Sequence, residues 1–245
     1  TRFSNLNLIA SSLSNLSLKL YSIILKSGYV KSDKEKVEVL DYFNSNLPKF
    51  DIKDLGFREK LWLYNSYLWL SFLIQDFIAC YKYSKKWVEL FQDYPKMISL
   101  NPVWFLKGNQ YLLESLFYIQ DHKRFEAVLE DMEMNISKKS FPKDDNIEGL
   151  VFLYLNTDRL NLCFIKGLFE EGLSLVTDIL KGIKHFQNRI DEHHIMVFYY
   201  KIASLHFCVG NNKECIHYLD KIISNKSLIM REDLMCFSRI LNLFA

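Results

Sequence analysis

His185, His193, His194, His206 and His217 fall within 33 residues, interleaved with Cys208 and Cys215. Imidazole and thiolate at that density are the raw material of a zinc site, which needs about four donors converging tetrahedrally on one ion. The spacing works against convergence. His206 and Cys208, like Cys215 and His217, are two residues apart in helical sequence, and side chains at i and i+2 do not face one another on a helix. Asp191-Glu192-His193-His194 contains the letters of the H-E-x-x-H zinc motif without its order. No metal and no cofactor are therefore expected.

Other chemistry is sought and not found. The eight glycines are isolated, so the chain has neither a G-x-x-x-x-G-K-[ST] phosphate loop nor a G-x-G-x-x-G dinucleotide fingerprint. No G-x-S-x-G nucleophile elbow occurs. The chain is not expected to be an enzyme. A formal charge of +2 gives no strong pull toward nucleic acid or anionic lipid. The lysine-rich runs 31–36, 82–86 and 138–143 could form a basic stripe, but Asp33, Glu35 and nearby Glu38 and Glu89 break up two of them. Nucleic acid is not an expected partner. Trp62, Trp69, Trp87, Trp104, Phe117, Phe125, Phe198 and Tyr199 could stack on bases, yet at helical spacing such rings belong to a core.

The elements that would carry these side chains are helices. Eight glycines and four prolines make only 12 of 245 residues, too few for the many tight turns of a sandwich or barrel. Eleven helices are predicted: 5–26, 33–46, 56–81, 84–93, 103–120, 122–136, 147–168, 170–187, 192–209, 212–224 and 229–244. Ser32-Asp33, Asn101-Pro102, Asp144-Asp145 and Asp191 supply start signals. Pro48, Pro95 and Pro142 are each 47 residues apart, and proline is common just past a helix end. That spacing implies a helix-pair period of about 40–47 residues. The stretch 135–146 is predicted to be an exposed loop. The longest apolar run, 61–78, is interrupted by Asn65, Ser66, Ser71, Gln75 and Asp76 and reads as a buried helix; no membrane span is expected. Five cysteines without a C-x-x-C pair read as reduced thiols of a cytoplasmic protein.

The segment from Tyr199 to Ile223 resembles a tetratricopeptide repeat. Tyr199, Ile202, Ala203 and His206 match the motif's first helix, Gly210 its turn, and Cys215, Leu219 and Ile222 its second helix. Poorer copies are Tyr111, Ser115, Tyr118 and Ala127, with Gln120-Asp121-His122 in place of the turn glycine, and Leu160, Cys163, Gly167, Gly172, Val176 and Leu180. The 61–93 pair offers only Trp87-Val88. The small second-helix positions 88, 127, 172 and 215 lie 39, 45 and 43 residues apart, longer than the family's 34. The resemblance implies one all-α domain over 1–245, a right-handed α-solenoid of about five antiparallel helix pairs plus a terminal helix. It also implies a concave face that binds a protein or peptide. The family's concave positions correspond to Asn109, Arg159, Asn161, Tyr200, Lys201 and Ser204, with Arg159 and Lys201 suited to a ligand carboxylate.

Two functions follow as expectations. The first is a non-enzymatic scaffold for a protein or peptide. The alternative is a ligand- or peptide-sensing domain of a signalling or transcriptional regulator whose effector lies outside this fragment. Leu234, Phe237, Ile240, Leu241 and Phe244 give the 229–244 helix an apolar face. Its missing partner helix suggests that the repeats continue past Ala245, and that the chain self-associates through this end.

Overall fold

Serine, aspartate and asparagine side chains set where several of the helices begin, and left-handed residues set where many of them stop. The computed structural model describes residues 2–225 and 232–245, and among these the fold is all helix with no strand. Backbone packing divides the chain into two compact units. The first runs to Arg124 and takes in Met134–Phe141; the second comprises Phe125–Glu133 and Pro142–Ala245.

The first unit holds α1 (Arg2–Ser27), α2 (Asp33–Asn46), a 3-10 turn (Ile52–Asp54), α3 (Phe57–Leu73), α4 (Phe77–Asp93), α5 (Lys96–Leu100) and α6 (Pro102–Tyr118). Helix α3 packs against α1 and α4, and α4 against α6. Ile9, Leu13, Leu16 and Leu20 repeat at helical spacing and bury one side of α1. Trp87 is fully buried in α4, its indole N–H donating to the Trp104 carbonyl at 3.2 Å. It sits over Gly108 of α6, where a Cβ would lie 2.6 Å from the ring. Glycine is what lets these two helices approach. Helix α7 (His122–Ser137) contributes residues to both units. The second unit adds α8 (Asp145–Lys166), α9 (Phe169–Ser174), α10 (Val176–His185), α11 (Glu192–Cys208), α12 (Asn212–Ile223) and α13 (Glu232–Phe244). Leu160, Ile179, Phe198, Ile202, Leu205 and Leu219 form its centre.

Several predicted boundaries move. The helix expected over 56–81 ends at Leu73, and the one expected to begin at 84 begins at Phe77. The cause is the Gln75-Asp76 pair: Gln75 adopts φ +58°, and the Asp76 carboxylate accepts the Ala79 N–H at 2.9 Å. A polar pair inside an apolar run is a turn here, not a solvated helical stripe. The helix expected over 170–187 is two, α9 and α10, joined at Leu175. The loop expected over 135–146 is shorter, because α7 reaches Ser137, and Phe141 within it is buried with its ring 6.2 Å from Phe105. Of the terminal helix, 229–231 lie outside the described residues. Along its apolar stripe Leu234 is buried and Leu241 packs on the core, whereas Phe237, Ile240 and Phe244 are exposed.

The helix stops are built alike. Every positive-φ residue among those described lies just after a helix: Gly28, Gln75, Gln120, Gly167 and Gly210. Successive positions differ by 47, 45, 47 and 43 residues. The last four are Schellman turns, in which two consecutive N–H groups close back onto the helix's final carbonyls. Asp76 and Gln75 donate to Ser71 and Phe72 at 2.9 and 3.0 Å. Asp121 and Gln120 donate to Leu116 and Phe117, both at 3.1 Å. Leu168 and Gly167 donate to Cys163 and Phe164 at 2.9 and 3.2 Å, and Asn211 and Gly210 to His206 and Phe207 at 2.8 and 3.0 Å. Gly28 makes the simpler single bond, to Ile24 at 2.9 Å. Five residues past each Schellman turn comes a buried position: Cys80, Phe125, Gly172 and Cys215. Two of the small positions singled out from sequence, Val88 and Ala127, do not fall on this series. Ala127, placed there as a packed small residue, is exposed, and Cys80 rather than Val88 takes the corresponding place near the start of α4.

Candidate functional site

Polar side chains inside these helices first satisfy their own backbone. Ser66, Ser71, Ser84, Ser115 and Ser204 each donate to the carbonyl four residues back. Asn109 does the same, its amide donating to the Phe105 carbonyl at 2.9 Å, and it is only 1% exposed. It lies in the first unit, inside the α6 packing.

The other five predicted site residues lie in the second unit, on α8 and α11. Asn161 and Lys201 come together: the Lys201 ammonium donates to the Asn161 side-chain oxygen at 2.5 Å and lies 5.8 Å from the Phe164 ring centre. Asn161 is buried and Lys201 half-buried. Tyr200 and Ser204 share a face of α11 one turn apart, with the Ser204 hydroxyl on the Tyr200 carbonyl at 2.8 Å. Burial pushes the Tyr200 phenol upward in pKa, against a lowering hydrogen bond to Ser204. Arg159 points away from Asn161's buried side and is exposed. Its guanidinium already holds a carboxylate, that of Glu133, with bonds of 2.9 and 2.7 Å from Nε and Nη2 to one oxygen. Lys166 makes a similar pair with Glu126 at 2.5 Å.

Sequence reading missed Asp158. It is fully buried in α8, three residues before Asn161 and so on the same side of the helix. Burial first, and the Asp158 charge second, push the neighbouring Tyr154 phenol up to about 12. The available signal was positional: Asp158 falls four residues after Tyr154 and three before Asn161, on a face too apolar to leave a carboxylate solvated. Asp158, Asn161 and Lys201 make a polar seam of α8 and α11, with Arg159 and Tyr200 beside it.

The histidines and cysteines separate. His206 stacks at 5.8 Å on Tyr218 with ring planes nearly parallel, and burial lowers its pKa despite the opposing Glu214 charge. Cys215 is fully buried, its thiol pushed up by burial and then by Cys208. Asp191, His193 and His194 are different. Their donor atoms all lie within 4.8 Å of one another at the start of α11.

In the first unit, a cleft of about 310 Å³ is lined by Asn5, Leu6, Ile9, Lys49, Phe50, Asp51, Asp54 and Leu55; sequence reading singled out none of these. By length and composition alone, Ser4–Ser27 of α1 is apolar enough to cross a membrane; a third of its most apolar window is buried in the fold. Comparison with family models, with curated proteins and with solved structures finds no match to this chain.

Proposed function

We propose that this chain is a helical-repeat scaffold without catalytic chemistry of its own, and that it binds a protein or peptide segment through the α8 and α11 face of its second unit. The observation that carries this reading is the series of left-handed helix stops at intervals of 43–47 residues. A recurring stop of one design marks a recurring helix-turn-helix unit, and arrays of such units serve to present extended surfaces to other macromolecules.

Within the second unit the recognition groups are Arg159, paired with Glu133, together with Tyr200 and Lys201, the last held by Asn161. Tyrosine and arginine carry much of the energy of protein interfaces because each combines apolar area with a directed polar end. Arg159 pairs with Glu133 while 43% of its side chain stays exposed. An incoming carboxylate from a partner would meet the same guanidinium fork, and exchange of one exposed ion pair for another costs little. The preferred partner is therefore a segment carrying an aspartate, a glutamate or a free C-terminus.

Affinity capture from the source cell's own extract, with the Arg159→Ala/Asn161→Ala double variant in parallel, tests the reading. The expected result is a defined partner retained by the parent chain and lost by the variant, with both melting within a few degrees of each other. Equal capture by both chains would remove the α8 and α11 face from the account. Unfolding of the double variant would show these side chains to be structural.

A further inference from the structure

We propose that Asp191, His193 and His194 form a binding site for a divalent transition-metal ion of the zinc type. The three residues open α11. Asp191 is its N-cap, with an extended backbone (φ −60°, ψ 143°). At other helix starts in this chain the capping side chain is occupied by the backbone: Asp76 accepts from Ala79, Asp121 from Arg124, Asp144 from Ile147 and Asn211 from Glu214. The Asp191 carboxylate makes no such bond. It turns toward His194 instead, 3.8 Å from Nδ1. The His193 and His194 rings lie with centroids 3.9 Å apart and tilted 38°. All three donor groups fall within 4.8 Å of one another.

Tetrahedral coordination at zinc–nitrogen and zinc–oxygen lengths of about 2.0–2.2 Å places neighbouring donors about 3.4 Å apart. Closing from 4.8 Å needs only small side-chain rotations, and the Asp191 side chain, 77% exposed, is free to make them. Two imidazoles and a carboxylate suit zinc, cobalt and nickel better than calcium or magnesium, which take oxygen donors. The positive end of the α11 dipole opposes a cation. Asp191 itself and neighbouring Glu192, whose carboxylate accepts the Asn225 amide at 2.7 Å, offset that field. Three protein donors leave at least one position for water or an outside ligand, the arrangement of an open zinc site.

Titration of the full chain with Zn²⁺ in a non-chelating buffer tests the site. One saturable equivalent is expected, weakened at least about tenfold by His193→Ala, His194→Ala or Asp191→Asn, since even residues behind the ligands typically matter by 10–100-fold. His217→Ala, on α12, should bind as the parent does. Paramagnetic Co²⁺ added to the unaltered chain should broaden the His193 and His194 imidazole resonances before those of the other histidines, a readout independent of any variant's folding. Absence of saturable binding, equal binding by all the variants, or Co²⁺ broadening centred on other histidines would overturn the proposal.

Discussion

Replacing Gly210 by alanine and Gln75 by glycine should move stability in opposite directions. Both residues occupy the left-handed position that ends a helix, at φ +76° and +58°. Nothing lies within 4 Å of a Cβ built on Gly210, so alanine meets no clash there and the change is purely conformational. A left-handed conformation costs a side-chain-bearing residue about 1–2 kcal/mol. Alanine recovers roughly 0.4–1 kcal/mol by restricting the unfolded chain. Gly210→Ala is then destabilising by about 1 kcal/mol. Gln75 already bears that strain. It is exposed, so glycine should return up to about 1 kcal/mol. For a chain of this length each such step shifts the melting temperature by about 2–4 °C. Urea denaturation followed by circular dichroism measures both, and an unchanged slope would show that the unfolded state is comparable. If Gly210→Ala is neutral, or Gln75→Gly lowers the midpoint, the helix stops are not equivalent and the repeat reading loses its main support.

Four further outcomes are expected. Gly108→Ala drives a Cβ to 2.6 Å from the immobile Trp87 ring; overpacking of about 2–3 kcal/mol exceeds the roughly 1 kcal/mol gain in helix propensity, so thermal melting should fall. Gly149→Ala, whose nearest neighbours stand at 3.5 and 3.7 Å, should melt slightly higher. In thiol labelling at pH 8, exposed Cys208 and Cys236 should react in the folded chain, whereas fully buried Cys80 and Cys215 should react only on unfolding; early modification of either would place it outside the core. Burial and Asp158 hold the Tyr154 phenol above its ordinary 10.0, at about 12, so the folded chain keeps a proton that the unfolded chain releases. Its contribution is complete below pH 10 and is lost as pH rises from 10 to about 12, by an amount on the order of 2–3 kcal/mol. Tyr154→Phe should flatten that fall in denaturation measured across pH 9–12, and an unchanged slope would count against it.

Helical class and most helix positions were legible because they are local. Pro102 at the first turn of α6, Asp144 capping α8 and Gly210 ending α11 act within a few residues of themselves. The α3–α4 break was hidden because Gln75 is not a residue type that announces a left-handed turn, and the Schellman bonds that pay its strain form only in the folded helix. The same hidden turn at Gln75 is why Val88 is picked out from sequence rather than Cys80, near the start of α4. The apolar stripe of α13 was legible as a pattern, but how much of it the fold covers was not: Leu234 is buried and Leu241 packs on the core, while Phe237, Ile240 and Phe244 stay exposed. At the candidate site, the family resemblance pointed to polar residues of α6, α8 and α11 but not to their depth. It ranked buried Asn109 with exposed Arg159, and it passed over Asp158, whose burial depends on contacts distant in sequence. Asp191, His193 and His194 were weighed and set aside because the spacing rule applied to them holds inside a helix, whereas at the start of α11 their donor atoms lie within 4.8 Å of one another.

The α8 and α11 face is the proposed seat of another macromolecule. Site-specific photo-crosslinking tests this most directly. The chain carrying p-benzoylphenylalanine in place of half-buried Tyr200 is irradiated in the extract of its source cell, beside a chain carrying it in place of exposed Lys213 on α12. A discrete adduct from position 200, absent from position 213 and abolished by Arg159→Ala/Asn161→Ala, is the predicted result. Adducts of equal yield from both positions, or none from position 200, would contradict it.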